Sequence, residues 1–317
     1  MAADPATYRA RGRRHLWQAD QAVELRHREE PAMPVEPAAP VLSRRVLLSL
    51  AAGSLALPAV AGAGGGAESP ALLDALRRIR YSAGDAPVFW WMRATKYGLA
   101  GDRLTPLFGM EIGNIVRTRP VADGFAATSL EMVFFTDPAT GQRTERVVNP
   151  YTGESLPRAD SLVGPTTLVY RTTGTEFPRE LPGVSLEVEP LTAVFASEGD
   201  DVWLRDDSAA RVTPLAPGAP RFWVTDWGTY HASRAALADP ALASVPATVT
   251  FGSVSGWLGW LKMGDRPGYM LSRASGRKYD RFDALPASFL DIVRARYPAI
   301  LADPAAALER PVATFAP

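Results

Sequence analysis

Residues Thr128–Val148 read TSLEMVFFTDPATGQRTERVV. Two short runs, 128–135 and 143–148, carry the aromatic and β-branched side chains that suit a pleated surface. Between them stands Asp137-Pro138-Ala139-Thr140-Gly141, in which proline presets one dihedral and glycine accepts a positive one. The stretch predicts two strands joined by a tight turn. The same texture recurs on both sides, with short apolar or alternating runs at 88–92, 107–117, 166–172, 185–195, 201–204, 221–225, 247–254, 256–263 and 269–272. Glu198-Gly199-Asp200-Asp201 reads as a second hairpin tip. Helical spacing is confined to Pro70–Arg80, where Leu72, Leu73, Leu76 and Ile79 share a face, to a helical or loop-like stretch over 229–242, and to 286–295. Strands at short spacing with helices only at the edges predict a mainly β fold, an antiparallel barrel or strongly curved sheet with a few peripheral helices.

Composition narrows the chemistry. The 317 residues are 47% hydrophobic, with 34 basic and 34 acidic side chains, which is enough for a large core and leaves no electrostatic footprint for nucleic acid. Cysteine is absent, so disulfides, thiolate nucleophiles and zinc–cysteine sites are excluded. The only histidines are His15, His27 and His231. No Gly-x-Gly-x-x-Gly follows a strand and there is no P-loop, so no nucleotide cofactor is expected. No metal site is expected either, because Glu198–Asp201 and Asp206-Asp207 lack the spacing of a calcium loop.

Residues 43–63, SRRVLLSLAAGSLALPAVAGA, combine paired arginines, an apolar run and a small-residue end at Ala61-Gly62-Ala63. This is the pattern of a twin-arginine-type signal peptide cut after Ala63. Its apolar run is shorter than the ~20 residues of a membrane span. Translation from Met33 rather than Met1 would give a leader of ordinary length. The expected organisation is a leader over 1–67 and one β domain over 68–317, periplasmic or secreted, with the export machinery as a partner of the leader.

Candidate site residues come from polar groups set in apolar surroundings. In Arg221–His231, RFWVTDWGTYH, the strand is expected to end near Asp226, which would deliver Asp226, Trp227, Tyr230 and His231 to a loop. His231 would act as base, with Asp226 orienting it and Tyr230 as third member; the competing reading packs His231 in a loop, with Asp226 capping a helix. Asn149 and Tyr151 sit in a turn that offers an amide and a phenol. Glu111 and Glu131 stand inside the apolar runs LFGMEIGNIV and TSLEMVFF, and are general acids if they face a cavity or exterior residues if they face water. Arg93 and Lys96 pose the same question. A serine triad lacks its Gly-x-Ser-x-Gly elbow.

Residues 246–278, PATVTFGSVSGWLGWLKMGDRPGYMLSRASGRK, with TDWGTYHASRAAL at 225–237 and Asn149–Gly153, resemble the DUF1838 family over roughly residues 70–305. The resemblance implies an uncharacterised, often exported protein and transfers no catalytic residue. A calycin-like barrel with a ligand cavity is an expectation by fold analogy. Read as an extended strand, Trp257 and Trp260 fall on opposite faces, followed by a lip at Asp265, Arg266 and Tyr269. The function expected is binding of a small, largely apolar or aromatic molecule in a β-barrel cavity. Two readings stay open: a cofactor-independent lyase, isomerase or hydrolase working by acid–base chemistry, and a non-catalytic periplasmic binding or carrier protein.

Overall fold

A computed structural model describes residues 70–181, 183–215 and 221–315. The expected leader lies outside them. The strands are β1 (Val88–Ala100), β2 (Arg103–Val121), β3 (Gly124–Thr136), β4 (Arg146–Val148), β5 (Ser155–Pro157), β6 (Ser161–Arg171), β7 (Gly174–Glu176), β8 (Glu180–Leu181), β9 (Val184–Glu198), β10 (Asp201–Pro214), β11 (Phe222–Ser233), β12 (Ala247–Ser255) and β13 (Tyr269–Tyr279). Helices α1 (Pro70–Arg80), α2 (Arg234–Ala238), α3 (Ala287–Arg296) and α4 (Pro298–Ala302) accompany them.

Eleven strands form one antiparallel sheet in the order β7-β6-β3-β2-β1-β13-β12-β11-β10-β9-β8, curled into a half-barrel, and β4 and β5 make a separate ribbon. The mainly β expectation holds. Side-chain alternation assigns the faces. Trp90, Met92 and Ala94 of β1 point inward with Met110 and Ile112 of β2, Val133 and Phe135 of β3, and Phe251 and Ala274 of β12 and β13. Leu73, Leu76 and Ile79 of α1 join that inner core. Phe89, Ile115, Leu130, Met132 and Phe134 point outward, where α3 and α4 cover them with Phe289, Val293 and Ile300.

Helix α1 matches its predicted span. Its C-terminal carbonyls are bound by Lys278, whose ammonium donates to Arg78 O, Ile79 O and Tyr81 O at 2.7, 2.8 and 3.0 Å, replacing the helical donors those groups lack. The Asp137–Gly141 turn forms as read, with Asp137 Oδ1 accepting from the Thr140 amide at 2.7 Å. The expected pairing does not: residues 146–148 form a strand, β4, but it pairs with β5, while β3 pairs with β2 and β6 and an isolated Thr136–Arg143 bridge follows the turn. Two strand expectations are corrected. β11 does not stop at Asp226 but continues to Ser233. Residues 256–263 are no strand; the chain turns through a short 3-10 helix, Gly259–Leu261, which a left-handed Lys262 (φ 54°) ends. Among the described residues no helix is long and apolar enough to cross a membrane.

Candidate functional site

One row crossing the inner face from β1 to β10 is polar. The register aligns Lys96 of β1 with Ser272 of β13, Ser272 with Ser253 of β12, Ser253 with Asp226 of β11, and Asp226 with Ser208 of β10. All five are buried. The Lys96 ammonium donates to Ser272 Oγ at 2.6 Å and lies 3.4 Å from Ser253 Oγ. Among the described residues Asp226 Oδ1 has no hydrogen-bond partner, nor has the buried hydroxyl of Ser255, the next inward position of β12. Burial pushes the Asp226 carboxyl up and the Lys96 ammonium down; each is partly held by the other's charge, and Asp206 pushes Asp226 further up. An amine and a carboxyl whose proton affinities converge can exchange a proton with a molecule lying between them.

A second inner cluster forms where α1 ends. Arg80, 2% exposed, pairs with Asp206 and donates to Tyr230 Oη at 2.9 Å, while the hydroxyls of Tyr81 and Tyr170 meet at 2.9 Å. Burial opposes the Arg80 charge, but Asp206 and the surrounding phenols outweigh it and hold Arg80 protonated. Burial raises Asp206 to about 6 against the pull of Arg80. Beside this cluster a small void of about 20 Å³, room for one water, touches Arg80, Trp90, Asn114 and Tyr230. Glu131 of β3 is directed inward near it. Its Oε2 makes one long contact of 3.5 Å to Asn114 Nδ2, and its Oε1 has no partner among the described residues. Burial pushes Glu131 up to about 8, Asn114 draws it back, and Asp226 adds repulsion.

The loop 256–268 closes one end of the half-barrel. Trp260 packs on Phe108 and Phe135, at 5.4 and 6.5 Å between ring centroids, and the Arg158 guanidinium stacks 3.9 Å above its ring. Asn149, fully buried, holds this loop by donating to Leu261 O at 2.7 Å, and its Oδ1 accepts from the Tyr151 amide at 2.9 Å. Tyr151 lies against Gly98, where a Cβ would come within 2.6 Å of its ring, and meets Trp257 edge-on. Trp257 Nε1 donates to Arg266 O at 2.8 Å. Gly268 (φ 136°) completes the turn in a conformation L side chains rarely adopt. Outside Trp260 lies an open cleft of about 430 Å³.

The expected site residues divide between the two faces. Asp226, Tyr230 and Glu131 face inward. His231 faces outward on the same strand as Asp226 and pairs with Asp201 at 2.6 Å, both half-exposed. The expected His231–Asp226–Tyr230 trio is therefore not assembled: β11 continues past Asp226, and an odd separation along a strand puts two side chains on opposite faces. Trp227 lies outward across Gly252, and Tyr269 is exposed beside Trp223. Glu111 is buried under α3, held by Arg93 at 2.7 Å and Ser288 at 3.0 Å. Asn149, Tyr151, Trp257, Trp260 and Arg266 converge on the closing loop, and Asp265 is exposed at its tip. Asp206 is taken by Arg80. Lys96, weighed from sequence beside Arg93, and the serines at 253 and 272 complete the row; continuing the parity of Trp90, Met92 and Ala94 would have found Lys96.

Residues 219–315 match the family model DUF1838, described as a protein of unknown function. The match takes in β11 to β13, the closing loop and the C-terminal helices, hence Asp226, Ser253 and Ser272, but not Lys96, Glu131 or Asn149–Gly153. It is narrower than the resemblance read from sequence. No curated protein and no solved structure gives a significant match. Over residues 219–315, just under a third of its length, the chain is similar to the DUF1838 family.

Proposed function

We propose that the protein binds a small, largely apolar molecule against the inner face of the half-barrel and acts on it by proton transfer, as a cofactor-independent lyase, isomerase or hydrolase. One observation carries the reading: a row of buried polar groups, Lys96 to Asp226, crosses the inner face and leaves a carboxyl oxygen without a partner among the described residues. Buried polar groups are normally paired, and those left over mark where a ligand or water completes them. The aromatic collar of Trp260, Phe108 and Phe135 supplies the apolar contact. Lys96 and Asp226 supply proton donor and acceptor, with Glu131 as a second acid. A site in the periplasm or outside the cell is part of the proposal and rests on residues 43–63.

A library of small apolar alcohols, ketones and esters tests this by thermal shift and product analysis. Compounds that stabilise the native protein should leave the Lys96→Met/Asp226→Asn double variant unmoved, and any turnover should vanish with them. Equal stabilisation of both proteins would overturn the reading. Binding without turnover selects the second reading, a carrier.

A further inference from the structure

The open cleft outside Trp260 has a charge character of its own. Its lining contains Arg158, Arg221 and Lys262 and no acidic residue, set among Trp257, Leu258 and Trp260. Arg158 is 6% exposed and immobilised, its Nε donating to Pro157 O at 2.9 Å and its guanidinium stacked on Trp260. Arg221 and Lys262 are exposed at the rim, Lys262 in an ion pair of 2.8 Å with Glu154 that water reaches from both sides. A larger open cleft of about 820 Å³ along β9 to β11 has no such bias, since Arg179 and Arg211 there face Glu187 and Glu189. Single-sign charge in a concave site with aromatic walls concentrates ligands of the opposite sign, and guanidinium groups bind carboxylates through paired hydrogen bonds.

From this geometry we infer that the 430 Å³ cleft is a binding site for a small aromatic or apolar acid, its carboxylate held by Arg158, Arg221 and Lys262 and its apolar body on Trp257 and Trp260. At Lys262 the carboxylate takes the place of Glu154. The inference goes beyond the inner-row chemistry and does not depend on it: an inactive Lys96→Met/Asp226→Asn protein with an intact cleft still binds the acid.

The test is calorimetric titration of the full chain with 2-naphthoate, 2-naphthalenemethanol and 2-naphthylmethylamine, which share a ring system and differ in charge. The acid should bind about 10-fold more tightly than the alcohol, the amine more weakly than either, and the preference should shrink as salt screens the rim. Arg221→Gln/Lys262→Gln, changes at exposed positions that leave the fold intact, should bring acid and alcohol within about 2-fold of each other while leaving alcohol affinity unchanged. Failure of naphthoate to bind, equal affinity for acid and alcohol in the native protein, or an undiminished preference in the double variant would each overturn the assignment.

Discussion

Glu111 and Glu131 stand one strand apart in similar apolar runs, and both are nearly inaccessible, at 2% and 5% exposure. They differ in the face they occupy. Glu111 is directed outward under α3 and is met by Arg93 and Ser288. Glu131 is directed inward, holds one long contact to Asn114, and is pushed up to about 8 by burial. Glu131 is buried with no cation against it, and that is the condition that makes a poised acid.

The comparison can be broken from either side. The largest effect is expected at the inner row, where Lys96→Met removes the buried ammonium whose charge partly holds Asp226. Stripping one partner from a buried pair should cost about 3 kcal/mol in urea unfolding at neutral pH, and adding Asp226→Asn should recover most of it. If the double variant is as unstable as the sum of the singles, the two residues do not act as a pair.

Next comes Glu131→Gln, which separates the two glutamates by pH. A carboxyl raised from its ordinary value to about 8 keeps its proton in the folded state while the unfolded chain ionises, so its contribution to stability falls as pH climbs from about 4.5 to 8. The variant should match the native protein near pH 4.5 and exceed it by about 2–4 kcal/mol at pH 8.5. Parallel stability profiles across that range would place Glu131 in contact with water.

On the outer face the effects shrink. Glu111→Gln gives up an ion pair whose arginine is half-exposed, and should cost about 1 kcal/mol without changing ligand response. His231→Gln breaks an exposed contact to Asp201 and should stay within about 0.5 kcal/mol, with ligand response again intact. Loss of binding in His231→Gln would return the histidine to the site.

What could be read from sequence follows the range of the forces involved. Helix α1 and the Asp137 turn are local, set by proline, glycine and side-chain spacing within a few residues, and both appear where expected. The path of 256–263 is decided by distant partners. Trp-Leu-Gly-Trp-Leu alternates well enough for a strand, but Asn149 binds Leu261 O from more than a hundred residues away and Lys262 turns left-handed. Strand ends, too, are set by distant partners. Stopping β11 at Asp226 made a loop site with His231 conceivable, and its true length sends the two side chains to opposite faces. Which parity faced inward depended on where α1, α3 and α4 packed, and no alternation pattern carries that information.

The central claim, that burial on the inner face keeps the Glu131 carboxyl neutral, is tested most directly by following its carboxyl carbon by ¹³C NMR across a pH titration, with Glu131→Gln to assign it. The account predicts a midpoint near 8 that moves down in Asp226→Asn, where the repelling charge is gone. A midpoint between 4 and 5, in the range of about 4.3 for a solvated glutamate and unmoved by the Asp226 change, would contradict it.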